Sequence, residues 1–231
     1  RPDPELAAEA AARLSLAGRR ARHRLDAVAA RSFFQRAVAL GDGHDVHIVV
    51  DLARALETPL EGASLLDEAA DRAESEGDRP GAALARAVAA YCRMWTVKNS
   101  GQEQERLALE ALPLLEAAGD HLGLAEVWNN LAQGVYNSRC QYAQIEYASE
   151  QARQHAMLAG QQPRGSMMSV ALMWGPRPAA EALQIFEASV ETEPHLGQRL
   201  DRAIFLAMGD RIEEARALAQ AAEHQLREFG G

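Results

Sequence analysis

Residues 41–47 read GDGHDVH, with two aspartates, two histidines and two glycines in seven positions. The stretch has two readings. As a metal site, His44 and His47 stand three residues apart on one helix face with Asp51 a turn further on, but a zinc ion needs three or four converging ligands. As a connection, Gly41 closes one helix and Asp42 or Asp45 caps the next. The connection reading is the one the rest of the chain repeats, because EGD recurs at 76–78 and AGD at 118–120. It makes the protein a series of joined helices with no catalytic centre.

Composition points the same way. Of 231 residues, 48% are hydrophobic and 5% aromatic, and alanine dominates. Alanine is the best helix former and lets backbones approach closely. The main β-branched run is HIVV at 47–50, so the chain reads as all-α. Net charge is −9, which argues against direct nucleic-acid binding by this segment. Cys92 and Cys140 form no CxxC pair and read as small buried thiols in a reducing compartment. No apolar run reaches the 18 or more residues of a membrane span and no signal peptide stands out, so a cytoplasmic location is expected. Arginine supplies 23 of the 24 basic side chains, with Lys98 the exception, as in a GC-rich bacterial genome. The chain opens RPDPELAAEA and closes REFGG, which reads as a segment of a longer protein.

Breakers recur after the helical stretches at Gly41, Gly77, Gly119, Gly160, Pro194 and Gly230, in steps of 36, 42, 41, 34 and 36 residues. Such a period indicates a solenoid whose units hide their apolar faces against neighbours. Each unit divides into two helices: 5–23 with 26–40, 45–57 with 60–76, 80–97 with 102–118, 122–137 with 140–159, 165–174 with 178–192, and 196–208 with 211–228. The short connections make each pair an antiparallel hairpin. One repeat domain over 1–231 is expected, and a generic alanine-rich bundle is the competing fold.

The units resemble the tetratricopeptide repeat. WNNLAQGV at 128–135 places Trp128, Leu131, Ala132 and Val135 on the spacing of that motif's first helix. Segment 182–194 places Ala182, Phe186, Ser189 and Pro194 on its second half. Segment 30–37 supplies Ala30, Phe34 and Ala37, with Gly18 as the small residue of the preceding helix, and GDRIEEARAL at 209–218 is similar to the turn and second helix. The resemblance implies an α-solenoid of about six antiparallel hairpins in a right-handed superhelix. Repeats this long and degenerate look like the helical regions of large bacterial ATPase-containing transcriptional regulators or adenylate cyclases. That likeness carries no ATPase, cyclase or DNA-binding activity over to these residues.

No Walker, GxGxxG, HExxH or GxSxG motif occurs, and the seven histidines are scattered. Paired carboxylates such as Asp67–Glu68 and Glu213–Glu214 read as solvated faces. No catalytic residues, metal ligands or cofactor are therefore assigned. Binding is the better expectation. In a tetratricopeptide solenoid the first helices line a concave groove. The register directs Glu126, Asn129, Asn130, Gln133, Tyr136 and Asn137 into it, with Arg19, Arg22 and His23 from the first unit. Arg86 and Arg93 join from the third, Met168 and Ser169 from the fifth, and Asp201 and Arg202 from the sixth. Asparagine holds a peptide backbone and arginine forks a carboxylate, so a protein or peptide partner fits, such as an acidic segment or a free C-terminus. The alternatives are an effector sensor with a small molecule among Trp128, Trp174, Met167 and Met168, and a metal-dependent enzyme at His44 and His47. Trp95, Trp128, Trp174, Met94 and Met173 read as core fillers, and an unpaired apolar face on the last hairpin would drive a homodimer.

Overall fold

A computed structural model describes residues 4–24, 26–41, 43–98, 100–161, 167–189 and 196–229. Asp42, Pro194, His195 and Gly230 lie outside these residues, as do the end of the expected helix 178–192 and the side chains of His23 and Ser189. The described residues form twelve α-helices and no strand, so the protein is all-α. They are α1 (Pro4–His23), α2 (Ala27–Leu40), α3 (Val46–Ala53), α4 (Pro59–Ser75), α5 (Arg79–Met94), α6 (Gly101–Ala118), α7 (His121–Leu131), α8 (Tyr142–Leu158), α9 (Met168–Trp174), α10 (Ala179–Ser189), α11 (Leu196–Met208) and α12 (Ile212–Phe229). A π-helical turn, Ala132–Tyr136, continues α7.

Two turns share one design. Gly77 and Gly119 take φ of 82° and 68°, the left-handed region open to glycine without strain. Asp78 and Asp120 follow as N-caps, each accepting from the amide three residues on, Gly81 N–H and Gly123 N–H. Those third residues are glycine for a reason: a Cβ on either would run into the capping carboxylate. The opening stretch is a variant. Gly41 has an ordinary φ of −90°, and Gly43, at 72°, supplies the left-handed residue. Asp45 is the N-cap of α3, accepting from the amides of His47 and Ile48.

Each helix packs on the next in sequence throughout. Odd-numbered helices also touch, α1 with α3, α3 with α5 and α5 with α7. No comparable contact among the described residues joins α2 to α4, α4 to α6 or α6 to α8. The largest apolar core runs unbroken from Val46 in α3 to Leu131 in α7. A smaller one joins α9 to α12 around Phe186 and Phe205, whose rings lie 4.9 Å apart. At the other end Phe34 fills the space above Gly18, where a Cβ would sit 2.6 Å from the ring. The motif residues Leu131, Ala132, Val135, Ala182 and Phe186 are all buried.

Candidate functional site

The polar side chains of greatest interest lie where α3, α5 and α7 meet. Arg54, just past the end of α3, reaches over α5 to α7. Its guanidinium lies 4.9 Å from the centre of the Tyr91 ring and donates from Nη1 to Asn130 Oδ1 at 3.0 Å. Glu126 Oε1 stands 3.6 Å away. Burial pulls the Arg54 pKa down, but the Glu126 carboxylate, helped by Tyr91 and Cys92, outweighs it and the net shift is upward. Tyr91 in turn donates its hydroxyl to Gln133 Oε1 at 3.1 Å. Cys92, packed beside this group, has its thiol pKa pushed up by burial and by Glu126.

The π turn contributes directly. The helix widens into a π turn at 132–136, and just before it the Asn130 carbonyl accepts from Nε2 of buried Gln104 of α6 at 2.9 Å. Gly134 makes room, because a Cβ there would strike the Gln104 amide. Asn130 therefore takes a side chain from α3 on its own amide oxygen and one from α6 on its backbone. Its Nδ2, like that of Asn129, is buried with no acceptor. Leaving such a donor unpaired costs about 1–3 kcal/mol.

A second link closes the opposite end of the same face. His47 Nε2 in α3 lies 3.1 Å from Oδ2 of Asp120, the N-cap of α7. Burial works against a charged imidazole, yet hydrogen bonding and attraction to Asp120, with Asp45 adding and Arg19 opposing, leave the His47 pKa raised. The Asp120 carboxyl is held below its ordinary value: burial opposes this, and His47 and the amides of Gly123 and Leu122 outweigh it. Helices α3 and α7 are thus tied across α5 at both ends.

This arrangement corrects the expected groove. Glu126, Asn129 and Asn130 are 6%, 7% and 2% exposed, so they are interior groups and line no open channel. Gln133, Tyr136 and Asn137 remain half-buried at its margin. Arg19 and Arg22 do sit on the odd-helix side, but both are spent on Asp51, at 2.5 and 3.0 Å, a carboxylate that is itself 1% exposed. Arg86 and Arg93 turn away from Asn130 and pair with Glu74 and Asp67 of α4. Arg86 there borders a cleft of about 200 Å³ among α4, α5 and α6. Arg202 pairs with Glu187 of α10 at 2.8 Å. Met168 is buried, and Ser169 and Asp201 are half-buried. A helix-period count does not say which face a long arginine crosses, and the nearest carboxylate decided it in each case.

The metal ligands diverge. His44 Nδ1 meets Glu76 at 2.7 Å, His47 meets Asp120, and Asp51 holds the two arginines. Among the described residues no group of three or more His, Cys, Asp or Glu side chains is placed to hold an ion. The tryptophans are not uniform core fillers: Trp95 and Trp174 are 56% and 69% exposed. Trp128 alone is half-buried, edge-on to Tyr147 at 5.5 Å. Cys92 is buried as expected, whereas Cys140 is exposed. No helix among the described residues is long and apolar enough to cross a membrane. Arg54 escaped the sequence reading, which put it inside an expected helix 45–57 and directed no residue of that helix into the groove, whereas α3 ends at Ala53. The only available hint was that WNNLAQ places two amides side by side on a helix with few other polar residues.

Comparison with protein-family models, with curated proteins and with solved structures finds no match.

Proposed function

We propose that this chain is a noncatalytic α-solenoid of tetratricopeptide type that holds a protein or peptide partner. One observation carries the reading: odd-numbered helices α1, α3, α5 and α7 pack in a row, while no comparable packing joins the even ones among the described residues. That asymmetry is what a curved stack of helical pairs produces, with the odd helices on the inner wall. The partner enters at the half-buried margin formed by Gln133, Tyr136 and Asn137, with Arg54 and Asn130 behind it. An acidic segment or free carboxyl end suits that donor-rich margin. The parent protein, on this reading, is a bacterial signalling or transcriptional regulator working in the cytoplasm, and its other domains supply any catalysis.

An array of peptides with free and amidated C-termini tests the recognition role. The parent chain is expected to retain a subset with free ends that the pair Gln133→Ala and Asn137→Ala releases. Equal retention by both proteins removes the margin as the site. Small-angle scattering tests the shape: a solenoid has a radius of gyration well above the roughly 17 Å of a compact chain this long.

A second reading, effector sensing, draws on the buried Nδ2 groups of Asn129 and Asn130. A small, acceptor-rich molecule that parts α3 from α7 would satisfy both and would loosen the ties described above. A rise in melting temperature with one class of metabolite, lost in Asn129→Leu, supports it over the peptide reading.

A further inference from the structure

Among the described residues, α8 joins two parts of the chain. It touches α7, the π turn and α9, and no comparable contact ties it to an earlier helix. Helices α9 to α12 make no comparable contact with a helix before α8. Near the α7–α8 connection this seam is apolar: Ile145 and Ala148 cluster with Ala132 of the π turn, all three fully buried. At the open end of the hairpin the two helices meet through imidazoles. His121, the first residue of α7, and His155, in the last turn of α8, stack with ring centres 5.3 Å apart and planes 22° apart. Their Nδ1 atoms face each other at 3.1 Å.

Two ring nitrogens at that distance can hold one proton between them. One ring then donates and the other accepts. With a proton on both, two N–H groups face each other, the hydrogen bond is lost and like charges meet. Among the described residues no third His, Cys, Asp or Glu side chain converges on the pair to hold a metal ion instead. Glu116, near the end of α6, is the carboxylate that acts on His155. Asp120, next to His121, is committed to His47 of α3. Glu150 and Arg153 of α8 pair with each other. From α5, Arg79 and Arg86 line the cleft with α4 and α6, and Arg93 pairs with Asp67. Tyr136 of the π turn lies at the other end of α7, and α9 contains no titratable side chain.

We propose that the His121–His155 pair is an acid-sensitive latch on the α7–α8 seam, closed while the two rings share a proton and opened when both are charged. The apolar contacts near the connection stay in place and act as the hinge on which the end of α8 moves. The electrostatics agree. Burial and the His121 ring lower the His155 pKa, with Glu116 opposing. A base whose folded pKa lies below its ordinary 6.5 contributes fully above that value, and its contribution is lost as pH falls through the lower folded pKa. The neighbouring tie has the opposite sense, because the His47 pKa is raised by Asp120 against burial. Falling pH therefore strengthens the hold of α7 on α3 while it releases α8. None of this depends on the partner-binding role proposed above.

Hydrogen exchange of the full chain at about pH 7.5 and about pH 5, corrected for the intrinsic pH dependence of amide exchange, reads the latch. Between these values the amides of residues 154–158 are expected to lose protection by about tenfold relative to those of α5, because the opened state takes up a proton that the closed one refuses. His121→Gln and His155→Gln keep a hydrogen-bonding side chain without a titrating ring. Either is expected to remove most of that loss, with helicity by circular dichroism unchanged at the higher pH. Titration of the histidine ring protons by NMR gives a second readout that needs no variant: His155 of the parent titrates below the ordinary 6.5. In His121→Gln it moves back towards that value. A parent His155 that titrates at or above 6.5 overturns the proposal. So does protection at the end of α8 that is constant with pH, or a loss that both glutamine variants retain.

Discussion

Helices α5 and α11 are built alike and live differently. Both are amphipathic. Nine of the sixteen residues of α5 are buried, because α3, α4, α6 and α7 surround it. In α11 the buried side chains from Gly197 to Met208 are Ala203, Phe205 and Leu206, because α10 and α12 cover it from one direction only. The difference teaches that burial here is a property of position in the array more than of the helix itself. A helix gains its second and third covered faces only when neighbours exist on both sides. The polar ties follow the same gradient. Arg54 and His47 span from α3 to α7 across α5, whereas Arg202 makes an exposed pair with Glu187.

Removing Arg54 is the largest single way to break the crowded end. Arg54→Ala removes a buried guanidinium that stands 3.6 Å from the Glu126 carboxylate, itself 6% exposed, and donates to the Asn130 amide oxygen. Loss of one partner from a buried pair costs about 3–5 kcal/mol, because the other charge stays desolvated. Urea unfolding measures it through the midpoint at constant slope. Pairing Arg54→Met with Glu126→Leu should recover most of the loss, since an apolar pair of similar volume avoids the desolvation penalty. A double variant as unstable as Arg54→Ala would mean that Arg54 matters for its packing on Tyr91 and not for its charge.

Two glycines sharpen the comparison at lower energy. At the crowded end, Gly123→Ala drives a Cβ into the Asp120 carboxylate and within 2.9 Å of Leu115 Cδ2, disturbing the cap of α7. A loss of about 1–2 kcal/mol is expected, the usual worth of such a cap. At the sparse end, Gly209→Ala meets nothing closer than the Phe205 carbonyl oxygen at 3.5 Å. It is expected to be neutral or to stabilise by up to about 1 kcal/mol through the unfolded chain. Thermal or urea melts of the two variants read both signs in one experiment.

The helices were legible in the sequence because breakers and caps act locally. Gly77-Asp78 and Gly119-Asp120 announce a left-handed residue followed by an N-cap, and their geometry bears that out. A fuller signal was available: GDRPG at 77–81 and GDHLG at 119–123 repeat the pattern Gly-Asp-x-x-Gly, in which the second glycine yields to the capping carboxylate. The core residues of the motif, Phe34, Leu131 and Phe186, were legible from helix period. The polar contacts were not. Asn129 and Asn130 fall on the face that the period assigns them, but the period cannot tell an open wall from one covered by Arg54, 76 residues from Asn130 in the chain. The π turn likewise has no period signature. It shows only as Gly134 opposite Gln104, two residues 30 positions apart.

The smallest expected effect depends on pH and isolates the second tie. The folded pKa of His47 lies above its ordinary 6.5, so its pairing stabilises the fold fully below that value and fades as pH rises through the folded pKa. Asp120 has the opposite sense. Held below its ordinary 3.8, it stabilises above that value and fades as pH falls through the lower folded pKa. The tie from α3 to α7 is therefore at full strength between about pH 4 and 6.5. Arg19 opposes the charge on His47 and Asp45 supports it, so the net sense is set by Asp120. Urea unfolding of the parent and of His47→Gln at pH 5.5 and 8.5 checks this. The parent should exceed the variant by more at pH 5.5 than at 8.5, while Gly209→Ala, far from the tie, keeps a constant offset from the parent at both. An advantage that instead grows at pH 8.5 would mean that the fold favours the neutral imidazole and lowers its pKa, so that the tie to Asp120 is not an ion pair.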